Sequence, residues 1–353
     1  MALTHEQLIA FLRLPKLGMV KGFVLGNHAL ENDMVLDNDR DMLEFLNLSR
    51  SRNLARGICE YSLNEIRNAR ETARRIIEQS EENGIRLVTY YDDDYPKRLR
   101  DIRSNGKAAA PLVLWYKGRL EAANLPGIAI IGTREPTSEG IKAGHYFGRA
   151  FAEAGFNIVS GLAYGCDKSG HEGALMAENG TTTAFLAHGL DTVYPPEHKD
   201  LADEILEKGG LLMSEYAIGT RGIANFFVER DRLQSGLSEA CLVIQTGIQG
   251  GTLHAVRATV ENRKPLYAVS YSSPELMSQE KVAGNVMLIE EGIEVGNGLA
   301  FGKAQPITSR NIDEVILLLK ASFENFCKGT SAPEDNPPKD ESNRNENGQY
   351  LLF

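Results

Sequence analysis

The chain has 353 residues, with 38 Lys+Arg against 48 Asp+Glu, a formal net charge of −10 and a pI near 5.4. An ordinary globular mixture of 42 % hydrophobic and 24 % charged residues excludes disorder across the whole chain. The acidic balance argues against a histone-like coat for nucleic acid but leaves room for a local basic pocket.

Cys59, Cys166, Cys241 and Cys327 are scattered, without a CxxC pair, so neither a zinc site nor a disulfide framework is expected. No metal or cofactor is expected. With no run of ~18 apolar residues and no signal-peptide pattern, the expected location is a reducing cytoplasm with no membrane partner.

Residues 1–80 read as a small helical domain. Thr4 is placed to cap a helix with Leu8, Phe11 and Leu12 on one face. Asp39 or Asp41 opens a second through Leu43, Phe45, Leu46 and Leu48. Asn64 caps a long charged third through Ile66, Ala69, Ala73, Ile76 and Ile77, ended by Gly84. Leu14-Pro15-Lys16-Leu17-Gly18 reads as a plain turn between helices, and also resembles the phosphate-facing hairpin of helix-hairpin-helix modules.

Residues 85–325 form the expected core. Arg86–Tyr91 and Leu112–Tyr116 read as strands. From about residue 127 onward, short apolar runs alternate with helical patterns. The runs are Ile128–Ile131, Asn157–Val159, Thr183–Ala187, Leu211–Met213, Cys241–Gln245 and Leu266–Val269. Helices are predicted at about 139–154, 167–179, 198–208, 229–237 and 251–262. This pattern predicts an α/β fold: a doubly wound, mostly parallel Rossmann-like sheet with helices on both faces. Residues 328–353 are polar and acidic, read as disordered, and end in Gln349-Tyr350-Leu351-Leu352-Phe353.

Ligands of such sheets bind beyond the carboxyl ends of the strands. The turns there are small, Gly-rich or polar: Gly132-Thr133-Arg134, Ser160-Gly161 with Tyr164 and Asp167, His188-Gly189, Ser214-Glu215-Tyr216 and Thr246–Thr252 with Gly250 and Gly251. Glycine admits a ligand close to the backbone, and helix N-termini favour anions, so phosphate is the expected guest. Arg134, Lys199, Arg230 and Arg232 add full charges. The turns match neither the GxGxxG fingerprint nor a P-loop or GxSxG elbow. Ser160, Asp167 and His171 are read as a helix cap plus a surface or packed histidine rather than a catalytic triad, and no catalytic residue is assigned.

Taken together, Ile130-Ile131-Gly132-Thr133-Arg134, Val159-Ser160-Gly161-Leu162-Ala163-x-Gly165-x-Asp167-x-x-x-His171, Gly189-Leu190-Asp191-x-Val193-Tyr194-Pro195, Ser214-Glu215-Tyr216 and Phe227-x-x-Arg230-x-Arg232 resemble the DprA/Smf family. The resemblance implies a dimeric single-stranded-DNA-binding protein, not an enzyme. Such a protein protects incoming DNA in natural transformation and helps to load a RecA-type recombinase. It implies a DNA pocket carrying Arg134, Ser160, Gly161, Lys199, Arg230 and Arg232. The chain departs from the family pattern at Glu229-Arg230-Asp231-Arg232, where two carboxylates weaken the local positive field, and at Tyr164 and Gln245. A second reading is a nucleotide sensor or a LOG-like nucleotide hydrolase using the same pocket, with Gly250-Gly251-Thr252 faintly similar to that family's loop. The last five residues resemble a sliding-clamp-docking peptide, with Gln349, Leu352 and Phe353 as anchors.

Overall fold

The computed structural model describes residues 3–296 and 298–329. The expected docking anchors Gln349, Leu352 and Phe353 lie outside these residues.

The chain opens with four helices: α1 (His5–Arg13), α2 (Met19–Glu31), α3 (Asp39–Ser51) and α4 (Leu63–Glu82). Thr4 caps α1 in a reciprocal box with Gln7. The other two caps differ from expectation. Asn38, not an aspartate, caps α3, with Asp41 bonding back to it. Ser62, not Asn64, caps α4, because Glu65 stands three residues on and closes the box. Helix α2 is not among those expected from the sequence, since Gly22 and Gly26 lower its helical propensity. Both glycines are needed: a Cβ at 22 would meet Leu112, and one at 26 would meet the Tyr91 ring.

The turn between α1 and α2 is packed, with Leu14 and Leu17 buried. Tyr61 Oη donates to the Pro15 carbonyl at 2.8 Å, and Lys21 Nζ donates to the Lys16 carbonyl at 2.7 Å.

Nine strands form one sheet: β1 (Arg86–Thr89), β2 (Val113–Gly118), β3 (Gly127–Ile131), β4 (Asn157–Ser160), β5 (Thr181–Phe185), β6 (Leu211–Ser214), β7 (Ala240–Val243), β8 (Leu266–Val269) and β9 (Gln305–Ile307). Their order is β1-β2-β6-β5-β4-β3-β7-β8-β9. β2 runs antiparallel to both neighbours, and the other pairings are parallel. The doubly wound, mostly parallel α/β expectation holds.

Every residue of β3 is buried, and alternate side chains feed opposite cores. Ile128 and Ile130 pack with Phe147 and Phe151 of α5 (Ser138–Glu153). Ala129 and Ile131 pack with Leu253 and Val256 of α9 (Thr252–Glu261). Between these helices come α6 (Cys166–Leu175), α7 (Lys199–Glu207) and α8 (Ala224–Leu237). The four N-terminal helices do not stand apart. Phe11, Leu25, Phe45 and Ile66 share one core with Trp115 of β2, Ala184 of β5 and Leu212 of β6. Helices Glu280–Glu290 and Ile312–Cys327 lie on either side of β9 in the chain.

The chain leaves β3 for β4, β5 and β6 on one side, and returns through β7, β8 and β9 on the other. The sheet's topological switch point therefore lies between β3 and β7, where a ligand crevice is expected.

Candidate nucleic-acid interface

A crevice of about 460 Å³ opens at this switch point. Its walls are Gly132-Thr133-Arg134 after β3 and Thr246–Thr252 after β7, and α8 closes it with Phe227, Arg230, Asp231 and Gln234. Past the strand ends, Thr133 N–H donates to the Gln245 carbonyl at 2.7 Å and keeps the two turns together. A Cβ on Gly132 would lie 2.7 Å from that carbonyl oxygen, so only glycine fits there. Gly250 takes φ +125°, a conformation open to glycine, and delivers the chain to the N-terminus of α9. That helix start has neither a side-chain cap nor an acidic residue in its first turn, so its partial positive charge faces the crevice undiminished.

The cations expected to gather here separate. Arg134 is exposed and, among the described residues, makes no side-chain hydrogen bond or ion pair within 4 Å. Arg230 is 5 % exposed and bonded within the protein: Nη1 donates to the Phe185 carbonyl at 3.0 Å, and Nε lies 3.3 Å from Asp231 Oδ1. With the Gln234 amide turned so that its oxygen faces the guanidinium, it accepts from Nη1 at 2.7 Å and from Nε at 3.0 Å.

Arg232 is not in the crevice. Two residues along a helix turn the side chain by roughly 200°, so Arg232 points away from Arg230. It is clamped by Glu215 at 2.7 and 2.6 Å and donates to the carbonyls of Ala109 and Glu229. Lys199 also falls outside the crevice lining and pairs with Asp203, four residues on.

Ser160 is fully buried and its hydroxyl donates to the Ile130 carbonyl at 2.6 Å, so it shapes the turn rather than facing a ligand. Gly161 stands beside it with the Arg230 guanidinium against its Cα. Asp167 does not cap α6, whose N-cap is Gly165 at φ +76°. Instead its Oδ2 accepts from the Gly161 and Ala163 N–H groups at 3.1 and 3.4 Å, pinning the loop. His171 is packed, with Nδ1 at 2.6 Å from the Thr182 hydroxyl, and burial pushes its pKa down to about 3. The Ser160 hydroxyl also lies against the Asp167 carboxyl, but His171 is bonded to Thr182, so the three form no triad.

Tyr164 sits beside the crevice, exposed, donating its hydroxyl to Glu197 at 2.6 Å. Exposed Tyr194 meets Phe227 edge to face at 5.8 Å, which puts an aromatic pair on the crevice rim.

Asp231 reads from the sequence as a neighbour of the arginines, and the fold puts it inside the cavity. There, burial raises its pKa to about 7, the Asp167 charge adds to the rise, and Arg230 and Arg134 oppose it. Burial likewise pushes the Asp167 carboxyl up, against the Arg230 charge. Phe227, Asp231 and Gln234 line one helix face at spacings of four and three, and that periodicity in the sequence would have found them. Among the described residues, no cluster of His, Cys, Asp or Glu is arranged to hold a metal, and no helix is long and apolar enough to cross a membrane.

Fold and crevice together define a doubly wound α/β protein with a cleft at its switch point. The chain belongs to the DNA recombination-mediator protein A family, whose model it matches over residues 86–299. It is 34 % identical over 225 residues to Protein Smf of Synechocystis, a match covering 63 % of this chain and 54 % of that protein. The chain thus spans about half the length of that relative. The crystal structure of DNA processing protein A from Streptococcus pneumoniae shares the fold, with a TM-score of 0.65 at 24 % identity, covering 89 % of this chain and 99 % of that one. The Helicobacter pylori protein of the same name, whose single-stranded DNA binding mode has been described structurally, aligns with a TM-score of 0.54 at 26 % identity, covering 68 % and 98 %.

Proposed function

We propose that this chain binds single-stranded DNA across the switch-point crevice. The observation that carries this reading is Arg134: an exposed, unpaired cation fixed behind the central strand, between two glycine turns and facing the start of α9. Phosphate seats there, and bases stack on the aromatic rim at Tyr194 and Phe227, a combination that tolerates any sequence. Family membership and the single-stranded DNA binding of the Helicobacter pylori relative support the reading. The same reading extends to protection of incoming DNA, delivery of the strand to a RecA-type recombinase, a homodimeric state and a cytoplasmic location.

Fluorescence anisotropy with a labelled oligo-dT at two salt concentrations, beside duplex DNA and a mononucleotide, tests it. The single strand binds best, and salt weakens it only modestly, because Arg134 is the one crevice cation without a protein partner among the described residues. One neutralised phosphate on a single strand corresponds to a log–log salt slope of about −0.7.

A second reading is supported by the cavity's size and its two carboxyls. About 460 Å³ lies within the range of small-molecule sites, so a free nucleotide fits. Saturable mononucleotide binding without oligonucleotide binding would establish it.

A further inference from the structure

We propose that the crevice takes up its phosphate anion together with one proton, and that Asp231 is the residue that carries the proton. This rests on the single-stranded DNA reading above and adds a control to the same site.

The geometry sets the charge balance. Arg134 and Arg230 bring two positive charges to the cavity, and Asp167 and Asp231 bring two negative ones. With both carboxyls ionised the side-chain charges of the lining cancel, and a phosphate entering it is attracted only by the partial charge at the start of α9. One proton from solvent, bonded to a carboxylate oxygen of Asp231, leaves the lining at +1. No other bond is made or broken.

The two carboxyls are not equivalent. Asp167 accepts from two backbone N–H groups and from the Ser160 hydroxyl, and lies within the field of Arg230. Asp231 has a single ionic contact, Arg230 Nε at 3.3 Å, and its side chain is 15 % exposed. The proton therefore settles on Asp231, in keeping with the rise of its pKa to about 7 by burial. The groups that face it are Arg230 and Gln234 on its own helix, Arg134 after β3, Asp167 on α6, Cys241 on β7 and His254 on α9 across the cavity. Cys241 is fully buried with its thiol pushed up to about 12, so it takes no part near neutrality.

The test is oligo-dT affinity at pH 6 and pH 8 at fixed ionic strength, for the wild type and Asp231→Asn. Proton uptake is counted alongside by calorimetry in two buffers of different ionisation enthalpy. One proton that must be bound, with a pKa near 7, makes the wild type about tenfold tighter at pH 6 than at pH 8. It also gives net uptake of a fraction of a proton near pH 7. Asp231→Asn binds at both pH values within twofold of the wild type at pH 6 and takes up no proton.

A wild-type affinity indifferent to pH overturns the proposal. So does an Asp231→Asn protein that keeps the wild-type pH dependence, since the proton would then be carried by another group. If neither protein binds the oligonucleotide at any pH, the single-stranded DNA reading falls. The same series with thymidine 3′,5′-cyclic monophosphate, a phosphodiester that does not titrate between pH 6 and pH 8, then decides the coupling alone: uptake lost in Asp231→Asn upholds it, and uptake retained overturns it.

Discussion

The guanidinium of Arg230 rests on the Cα of Gly161, in the space a side chain at 161 would need. The arginine reaches this point because its Nη1 is anchored on the Phe185 carbonyl at the end of β5. Gly161→Ala therefore expels a buried, bonded arginine. Overpacking of this kind costs about 1–3 kcal/mol. We expect a lower denaturation midpoint and at least a tenfold loss of oligo-dT affinity. Wild-type stability and affinity in the Gly161→Ala variant would falsify this placement of Arg230.

Arg134→Ala separates binding from folding. The side chain is exposed and unpaired, so the melting temperature should stay within about a degree, the usual behaviour of a surface change. Affinity for oligo-dT should drop for every sequence, and the salt slope should flatten by about 0.7. An altered base preference at unchanged affinity would contradict a phosphate contact.

Arg232→Ala should do the reverse. The Arg232–Glu215 pair is nearly buried, at 11 % and 7 % side-chain exposure, and removing the arginine strands the carboxylate. Breaking such pairs costs about 3 kcal/mol or more. Chemical denaturation should show that loss, while the affinity of the folded fraction holds. A clear loss of DNA affinity at unchanged stability would return Arg232 to the binding surface.

Two buried groups tilt stability with pH in opposite directions. Asp231 has its pKa raised to about 7, so the folded state holds a proton that the unfolded state gives up first. Its contribution is fully present below the ordinary carboxylate value and is lost as pH rises toward 7. His171 is pushed down to about 3. Its contribution is present above the ordinary imidazole value near 6.5 and is lost as pH falls toward 3. Between about pH 4 and 6.5 the two slopes oppose each other. In Asp231→Asn that residue's falling slope is gone, so the change of stability with rising pH becomes more positive by up to about 1.4 kcal/mol per pH unit. Urea titrations at pH 5 and pH 6.5 should thus show a larger difference for the variant than for the wild type.

Tyr194→Ala addresses the rim. Its ring is 52 % exposed and touches Phe227 only by its edge, so the fold loses little. If bases stack there, affinity falls by about 1–3 kcal/mol, with the salt slope unchanged. Equal affinities for the two proteins would put the bases elsewhere.

Much of this was legible in the sequence, and the failures have physical causes. The buried strands announce themselves because both faces of a parallel strand are apolar, as in Gly127–Ile131. The switch-point turns were legible because glycine is needed where backbones crowd. Neighbours along the chain were a poor guide to neighbours in space. Arg230 and Arg232 read as one basic cluster, yet helical geometry sends them to opposite sides. Ser160 and Asp167 read as ligand contact and cap, but Ser160 bonds to the Ile130 carbonyl on the neighbouring strand and Asp167 bonds back to the Gly161 and Ala163 N–H groups of its own loop. α2 escaped because its two glycines serve packing against Leu112 and Tyr91, residues far along the chain.

The core shared by the N-terminal helices and the sheet has a consequence for how the molecule comes apart. Leu25, Phe45 and Ile66 pack among the other helices' apolar residues and, in the same cluster, with Trp115 and Leu212. A cut between Gly84 and Arg86 would leave each fragment with a newly exposed apolar face. The shared layer ties the melting of the helices to that of the sheet, so loosening the first part reaches the second, from which the whole crevice is built.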